Sequence, residues 1–321
     1  MSRGSYILSR ACNALRCYAS YALSRCGLVH VSHMPLFVSV EPSAVCQLHC
    51  PECPVGAGMT RRTEQPYMPR EVWLRTLRET APYAHTVQFY FQGEPLLHPE
   101  LPQMIAEAHA EGLYTIVSTN AQAMTPTLAE ALVDAGLNRI IVSMDGLSEK
   151  TYAAYRVGGS ADRCRQALGW LRAAKQRRRG HITIELQCLR LRSNQQEWEQ
   201  FRREYKQMGA DRLVFKTAQL YGYRNGHPQM LSLSRYSRYE QGPDGTYHRK
   251  PTGKGCLRVW SGCVVTTTGE VLPCCYDKNH AHAYGNIMRQ NLNELFTGPA
   301  AMAFRRAALR QEPAVCKECW K

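Results

Sequence analysis

Short β-rich runs at residues 36–41, 86–91, 114–118, 139–143, 181–187 and 212–216 alternate with helical patterns near 69–81, 100–111, 127–135, 148–178 and 195–208. Strands separated by whole helices cannot pair as hairpins, so this order predicts parallel strands joined by crossover helices, an α/β fold. The longest helical pattern should break at Gly158-Gly159. In barrels built this way, chemistry sits where the strands end, so the loops after each run are the places to search.

The first such loop holds Cys46, Cys50 and Cys53 at spacing C-x3-C-x2-C, and Pro42, Pro51 and Pro54 forbid a helix across it. Three thiolates can hold three irons of a cubane and leave the fourth open, whereas closed clusters and structural zinc sites take four protein ligands. Zinc or simple packing stays open on these residues alone.

Placed at the end of a first strand, the C-x3-C-x2-C loop resembles the hallmark of the radical S-adenosylmethionine (SAM) superfamily, and the six βα units resemble its partial (β/α)6 TIM-like barrel, here over residues 36–220. After the second run, Gln92-Gly93-Glu94-Pro95 is similar to the family's GGEP loop, with Gln92 replacing a glycine; the resemblance implies that Gly93, Glu94 and Pro95 receive the SAM ammonium. After the third, Ser118-Thr119-Asn120-Ala121 resembles STNG with Ala121 in the glycine's place, and puts Ser118 and Asn120 at the barrel mouth. By the same resemblance Ser143 would bond the SAM ribose and Arg156 would grip its carboxylate. Glu52 stands where many members pack an aromatic or apolar residue on adenine. Tyr90 is a candidate substrate contact; Tyr247, His248, Arg249 and Lys250 in the linker 221–255 are others, and Asp277 reads as an exposed turn aspartate sooner than a proton acceptor.

From residue 256 to 321 a second set, Cys256, Gly269, Cys274, then Cys316-x2-Cys319, resembles the short "twitch" form of the SPASM module, a small α+β cysteine-rich unit in which these four cysteines hold one auxiliary [4Fe-4S] cluster. A four-cysteine zinc site is the alternative. A hairpin over 263–267 and 270–274 and a helix over 291–311, stopped by Pro313, should bring the ligands together. Further cysteines for a second auxiliary cluster do not follow.

The chain has 321 residues and fourteen cysteines, seven in ligand spacings, which fits a reducing cytoplasm better than a disulfide scaffold. No apolar run approaches the roughly 18 residues that span a bilayer, and Arg10 and Arg16 interrupt any signal-peptide core. A net charge of +14 favours an anionic partner, but the single tight run, Arg177-Arg178-Arg179, reads as a solvated helix end, so no nucleic-acid partner is expected. Within residues 1–35, Ile7, Ala11, Ala14, Leu15, Tyr18 and Ala22 fall at helical spacing among Arg3, Arg10, Arg16 and Arg25. This amphipathic basic helix is read as a cap on the domain in preference to a membrane-surface or partner helix, with Cys12, Cys17 and Cys26 as packing residues.

The resemblance implies an oxidoreductase-type enzyme: a [4Fe-4S] cluster with an open iron binds SAM, reductive cleavage gives a 5′-deoxyadenosyl radical, and hydrogen is taken from substrate, with an electron donor such as flavodoxin or ferredoxin. A small anionic substrate such as a sugar or cyclitol is expected, since only 35 residues precede the first strand, too few for the peptide-recognition domain many peptide-modifying relatives carry. A peptide- or protein-modifying maturase is the second reading, and a non-catalytic iron–sulfur or zinc protein the third.

Overall fold

The computed structural model describes residues 6–59, 64–250 and 256–319; Arg3, counted above toward the N-terminal helix, and linker residues 251–255 lie outside them. Strands β1 (Phe37–Val40), β2 (Thr86–Phe89), β3 (Tyr114–Thr119), β4 (Arg139–Ser143), β5 (Thr183–Arg190) and β6 (Arg212–Thr217) lie side by side in that order, all parallel. Alternation along each strand separates the two faces. Val38, Val40, Val87, Phe89, Val117, Ile140, Val142, Ile184 and Leu186 join the main apolar core. The helices that pack on that core are α2 (Arg70–Thr80), α3 (Leu101–Ala110), α4 (Pro126–Asp134), α5 (Glu149–Ala153), α6 (Ala161–Arg177) and α7 (Trp198–Glu204). The opposite, inner face is polar: the Ser39 hydroxyl donates to Gln88 Oε1 at 3.0 Å, and Arg139 pairs with the fully buried Glu185. By the same period of two, Ser118 and Ser143 belong to this inner face.

The expected break at Gly158-Gly159 separates α5 from α6. The helix expected over 291–311 is instead two, α9 (Leu292–Thr297) and α10 (Pro299–Leu309), because a proline is tolerated only in a helix's first turn and Pro299 therefore starts a new one after Gly298. The linker carries structure of its own, a hairpin of β7 (Tyr239–Gln241) and β8 (Tyr247–Arg249).

The cysteine-rich segment does not stand apart. After the one-turn α8 (Arg258–Ser261), β9 (Gly262–Val265) runs parallel to β1, and the expected hairpin to β10 (Glu270–Leu272) and a short β11 (Gly285–Asn286) extend the barrel sheet to nine strands. Gly262 permits this junction, since a Cβ there would lie 2.2 Å from the Phe37 ring. A last turn, α11 (Ala314–Lys317), carries Cys316.

Helix α1 (Tyr6–Arg25) is a cap, but it packs by its polar side. Arg10, Asn13, Cys17, Ser20 and Ser24 are buried, while Ile7, Leu8, Leu15, Tyr18 and Leu23 face outward. The reason is hydrogen bonding. Arg10 donates to the carbonyls of Ala81 (2.7 and 3.1 Å), Glu111 (2.8 Å) and Gly112 (2.9 Å), which are the orphan groups beyond the C-termini of α2 and α3, where helix dipoles also favour a cation. Asn13 bonds the backbone of Met34 in both directions. Replacing Arg10 by Met should therefore lower the unfolding free energy by about 2–4 kcal/mol, read by urea denaturation; an unchanged midpoint would deny these carbonyl contacts a structural role.

Candidate active site

The loop after β1 folds back on itself, with Cys53 N donating to Cys50 O at 3.1 Å, and is held from the side by His49 N to Val157 O at 2.9 Å. Cys50 is buried and Cys46 and Cys53 are half-buried. The Cys46 sulfur accepts contacts from Leu48 N (3.4 Å) and Asn120 Nδ2 (3.5 Å). The three thiols line a cavity of about 170 Å³ shared with Tyr90, Gln92, Gly93, Glu94, Ser118, Asn120, Ser143 and Arg156. Of the barrel residues expected from sequence to hold the cluster or to contact SAM or substrate, Pro95 alone is missing from that wall; it is buried as the first residue of a single 3-10 turn, Pro95–Leu97.

Gly93 and Glu94 have firmer partners than a ligand. A Cβ on Gly93 would meet Ser43 O at 2.2 Å and Val45 O at 2.6 Å, so the glycine lets the loop after β2 press on the backbone leading into the cysteines. Glu94 N donates to Val45 O at 2.8 Å, while the buried Glu94 carboxylate accepts from Leu96 N (3.1 Å), Thr119 Oγ1 and Asn120 N (2.8 Å). Burial pushes its pKa up, opposed by these donors. Ala121, in the place of the family glycine, takes the left-handed φ of +63° that a glycine would adopt freely.

Arg156 is half-buried with its Nε 2.6 Å from Asp145 Oδ2, and Asp145 Oδ1 accepts from Leu189 N at 2.6 Å. Asp145, fully buried at the end of β4, is a site residue that sequence reasoning passed over; its place two residues past Ser143 was the available signal. Burial raises the Cys50 pKa, and Arg156 beside it pulls the other way.

Two of the departures from the family pattern, Glu52 and Gln92, make cross-links to other segments. Glu52 accepts from Tyr221 N at 2.5 Å and lies 3.1 Å from His227 Nε2, which fastens the segment after β6 across the cysteine loop. Gln92 donates to Lys278 O at 2.9 Å and so links the barrel mouth to the cysteine-rich segment. Tyr247 packs near this loop, but Arg249 binds Lys317 O and Lys250 binds Ser234 O, and none of residues 247–250 lines the cavity. Asp277 is not exposed: it is fully buried, with its carboxylate closing a turn by accepting from Ala281 N and His282 N, both at 2.9 Å.

Cys256, Cys274, Cys316 and Cys319 come within electrostatic reach of one another. Burial pushes the Cys274 thiol up to about 12, helped by Cys275, Cys256 and Cys319, and the Cys316 thiol up to about 11, helped by Cys256 and Cys319. Cys164, Cys188 and Cys263 are buried packing residues. Among the described residues no three His, Cys, Asp or Glu side chains converge on a point as the ligands of a single ion. An all-thiol donor set suits an iron–sulfur cluster in both places, and at Cys46, Cys50 and Cys53 it also lines a cavity.

Family models match the chain twice, as radical SAM superfamily over residues 40–187 and as an iron–sulfur cluster-binding domain, SPASM, over 256–320. A PqqA peptide cyclase of Rhizobium meliloti is 25% identical over 312 residues, covering 89% of this chain and 79% of that protein. Among solved structures, Streptococcus suis SuiB bound to S-adenosylmethionine superposes with a TM-score of 0.68 at 15% identity, covering 94% of this chain and 75% of SuiB. BtrN in complex with AdoMet and 2-DOIA gives 0.55 at 18%, covering 90% and 94%.

Two outcomes follow from the packing. Gly93→Ala, made in a Cys316→Ala/Cys319→Ala background, should cut reconstituted iron well below the about four per chain of a single cluster, because the methyl displaces the loop; unchanged iron would contradict the close approach. At the seam, Glu41 accepts from Thr267 N at 3.3 Å and from Gln92 N, and burial lifts its pKa from 4.5 to about 7. A raised folded-state pKa gives stability that is complete below the unfolded value and lost as pH rises through the folded one. Glu41→Gln should accordingly raise the Tm at about pH 8 and lose that gain by about pH 4; a gain independent of pH would refute the buried, titrating carboxyl.

Proposed function

The chain belongs to the radical SAM superfamily and ends in a SPASM module, and from that premise we propose that it abstracts hydrogen from an organic substrate at the mouth of the β1–β6 barrel in a net oxidation. Its cofactors are a [4Fe-4S] cluster, S-adenosylmethionine and an auxiliary iron–sulfur cluster. When bound, they supply reductive cleavage of SAM, hydrogen abstraction and a place for the electron left on the substrate.

The convergence of Cys46, Cys50, Cys53, Ser143 and Arg156 on one cavity carries this reading. The three cysteines would hold the cluster, and since burial pushes the Cys46 thiol up to about 11, loading it releases a proton. Arg156 spends Nε on Asp145, which leaves its terminal nitrogens as a fork for the SAM carboxylate. Glu94 already accepts three donors; a carboxylate offers about four acceptor positions, which leaves one for the SAM ammonium. Ser118 and Ser143 face the cavity from the inner side of the sheet, suited to ribose hydroxyls. Tyr90, on the same wall, would meet the substrate. Cys256, Cys274, Cys316 and Cys319 would hold the auxiliary cluster.

A peptide is the substrate class with the broader support, because the matched PqqA peptide cyclases align across both the barrel and the cysteine-rich segment. A small substrate is the second reading, motivated by the segment after β6 that Glu52 ties to the cysteine loop. Anaerobic reconstitution should give about eight irons per chain, falling to about four in Cys316→Ala/Cys319→Ala, and the reduced protein should make 5′-deoxyadenosine from SAM. No 5′-deoxyadenosine above the Cys50→Ala background would sink the catalytic reading.

A further inference from the structure

The outward face of α1 is unlike a solvated helix surface. Ile7, Leu8 and Leu15 are 67, 77 and 71% exposed, Tyr18 and Leu23 also face solvent, and Leu28 continues the strip past the helix end at 63%. Ala11, Cys12, Ala19 and Ala22 lie between them. The helix has no acidic residue, and the charges on this face are Arg16 and Arg25. At its C-terminal end, Arg25 and Leu28 share a groove of about 560 Å³ with Arg306, Leu309 and Arg310 of α10 and its cap.

This orientation is fixed by the barrel. Residues 10, 13, 17, 20 and 24, at alternating spacings of three and four, are buried, and the first four bond groups outside the helix, with Ser20 to His30 O and Cys17 to Trp260 O at 3.6 Å adding to the Arg10 and Asn13 contacts. Rolling the leucines inward would strand the α2 and α3 carbonyls and bury apolar groups against them, so the leucines are held outward at the cost of their hydration.

We propose that this face seats the protein peripherally on an anionic lipid bilayer. A contiguous exposed apolar strip marks an interaction surface, and a convex twenty-residue helix with leucines, flanking arginines and no acids complements a plane that is apolar below and negative at its surface. The net charge of +14 acts in the same direction. The contacts of α1 at Met34, Ala81, Glu111 and Gly112 all precede the strands, so α1 covers the end of the barrel opposite the cysteine loop. A docked molecule therefore keeps its cavity turned away from the lipid.

The test is sedimentation of the full chain with vesicles of phosphatidylcholine alone and of equal parts phosphatidylcholine and phosphatidylglycerol. Binding should require phosphatidylglycerol, weaken with salt, and fall by about tenfold or more in Leu8→Gln/Leu15→Gln, given the transfer energy of two leucines. Gln keeps helix propensity, and an unchanged Tm with unchanged 5′-deoxyadenosine formation shows that the variant is folded. Absence of binding to either vesicle overturns the proposal. So does binding that the double variant retains, or a wild-type dimer in light scattering that the double variant dissolves, which would make a second copy the occupant.

Discussion

The end of one strand is joined to its neighbours by a single buried carboxylate. Glu94 gives its own N–H to Val45 in the cysteine loop and takes N–H and O–H donors from Leu96, Thr119 and Asn120, so that the loops after β1, β2 and β3 move as one body. A buried carboxylate with these donors is satisfied, and without them would be costly. Gly93 brings the backbones close enough for this to happen. Asn120, positioned by that carboxylate, then reaches the Cys46 sulfur. The geometry of the thiols is thus set from the neighbouring strands as much as by their own loop.

A second constraint places the two cysteine sets. Because β9 pairs parallel with β1, the strand that delivers Cys46, Cys50 and Cys53 is also the strand on which the cysteine-rich segment is built. Gln92 and Glu52, residues that differ from the family's usual ones, make the cross-links: one to Lys278 in that segment, the other to Tyr221 and His227. Substitutions that looked like losses of cofactor contact serve as fasteners between the barrel and what covers it.

Most of the barrel was legible because burial on a sheet imposes a period of two and crossover helices impose their own, and both survive in residues 36–217. The site was legible because strand ends converge in such a fold, so Cys46, Gly93, Ser118, Ser143 and Arg156 could be gathered without coordinates. What escaped depended on partners remote in sequence. Glu52 and Tyr221 are 169 residues apart. The inward roll of α1 depends on carbonyls that end α2 and α3, whereas Asp277 is a local exception, its buried carboxylate held by two amides of its own turn. Hydrophobic periodicity alone pointed α1 the other way, since apolar spacing records a face but not which side faces water. Gly298-Pro299, by contrast, was a local signal for two helices in place of one.

The central claim is that Cys46, Cys50 and Cys53 hold a cluster whose remaining iron opens on the cavity with Arg156 and Ser143. Electron paramagnetic resonance of the reduced Cys316→Ala/Cys319→Ala protein, recorded with and without SAM, tests it most directly. The account predicts a cluster signal that shifts when SAM is added and is absent in the additional Cys50→Ala variant. A signal indifferent to SAM, or one that survives the loss of Cys50, would contradict it.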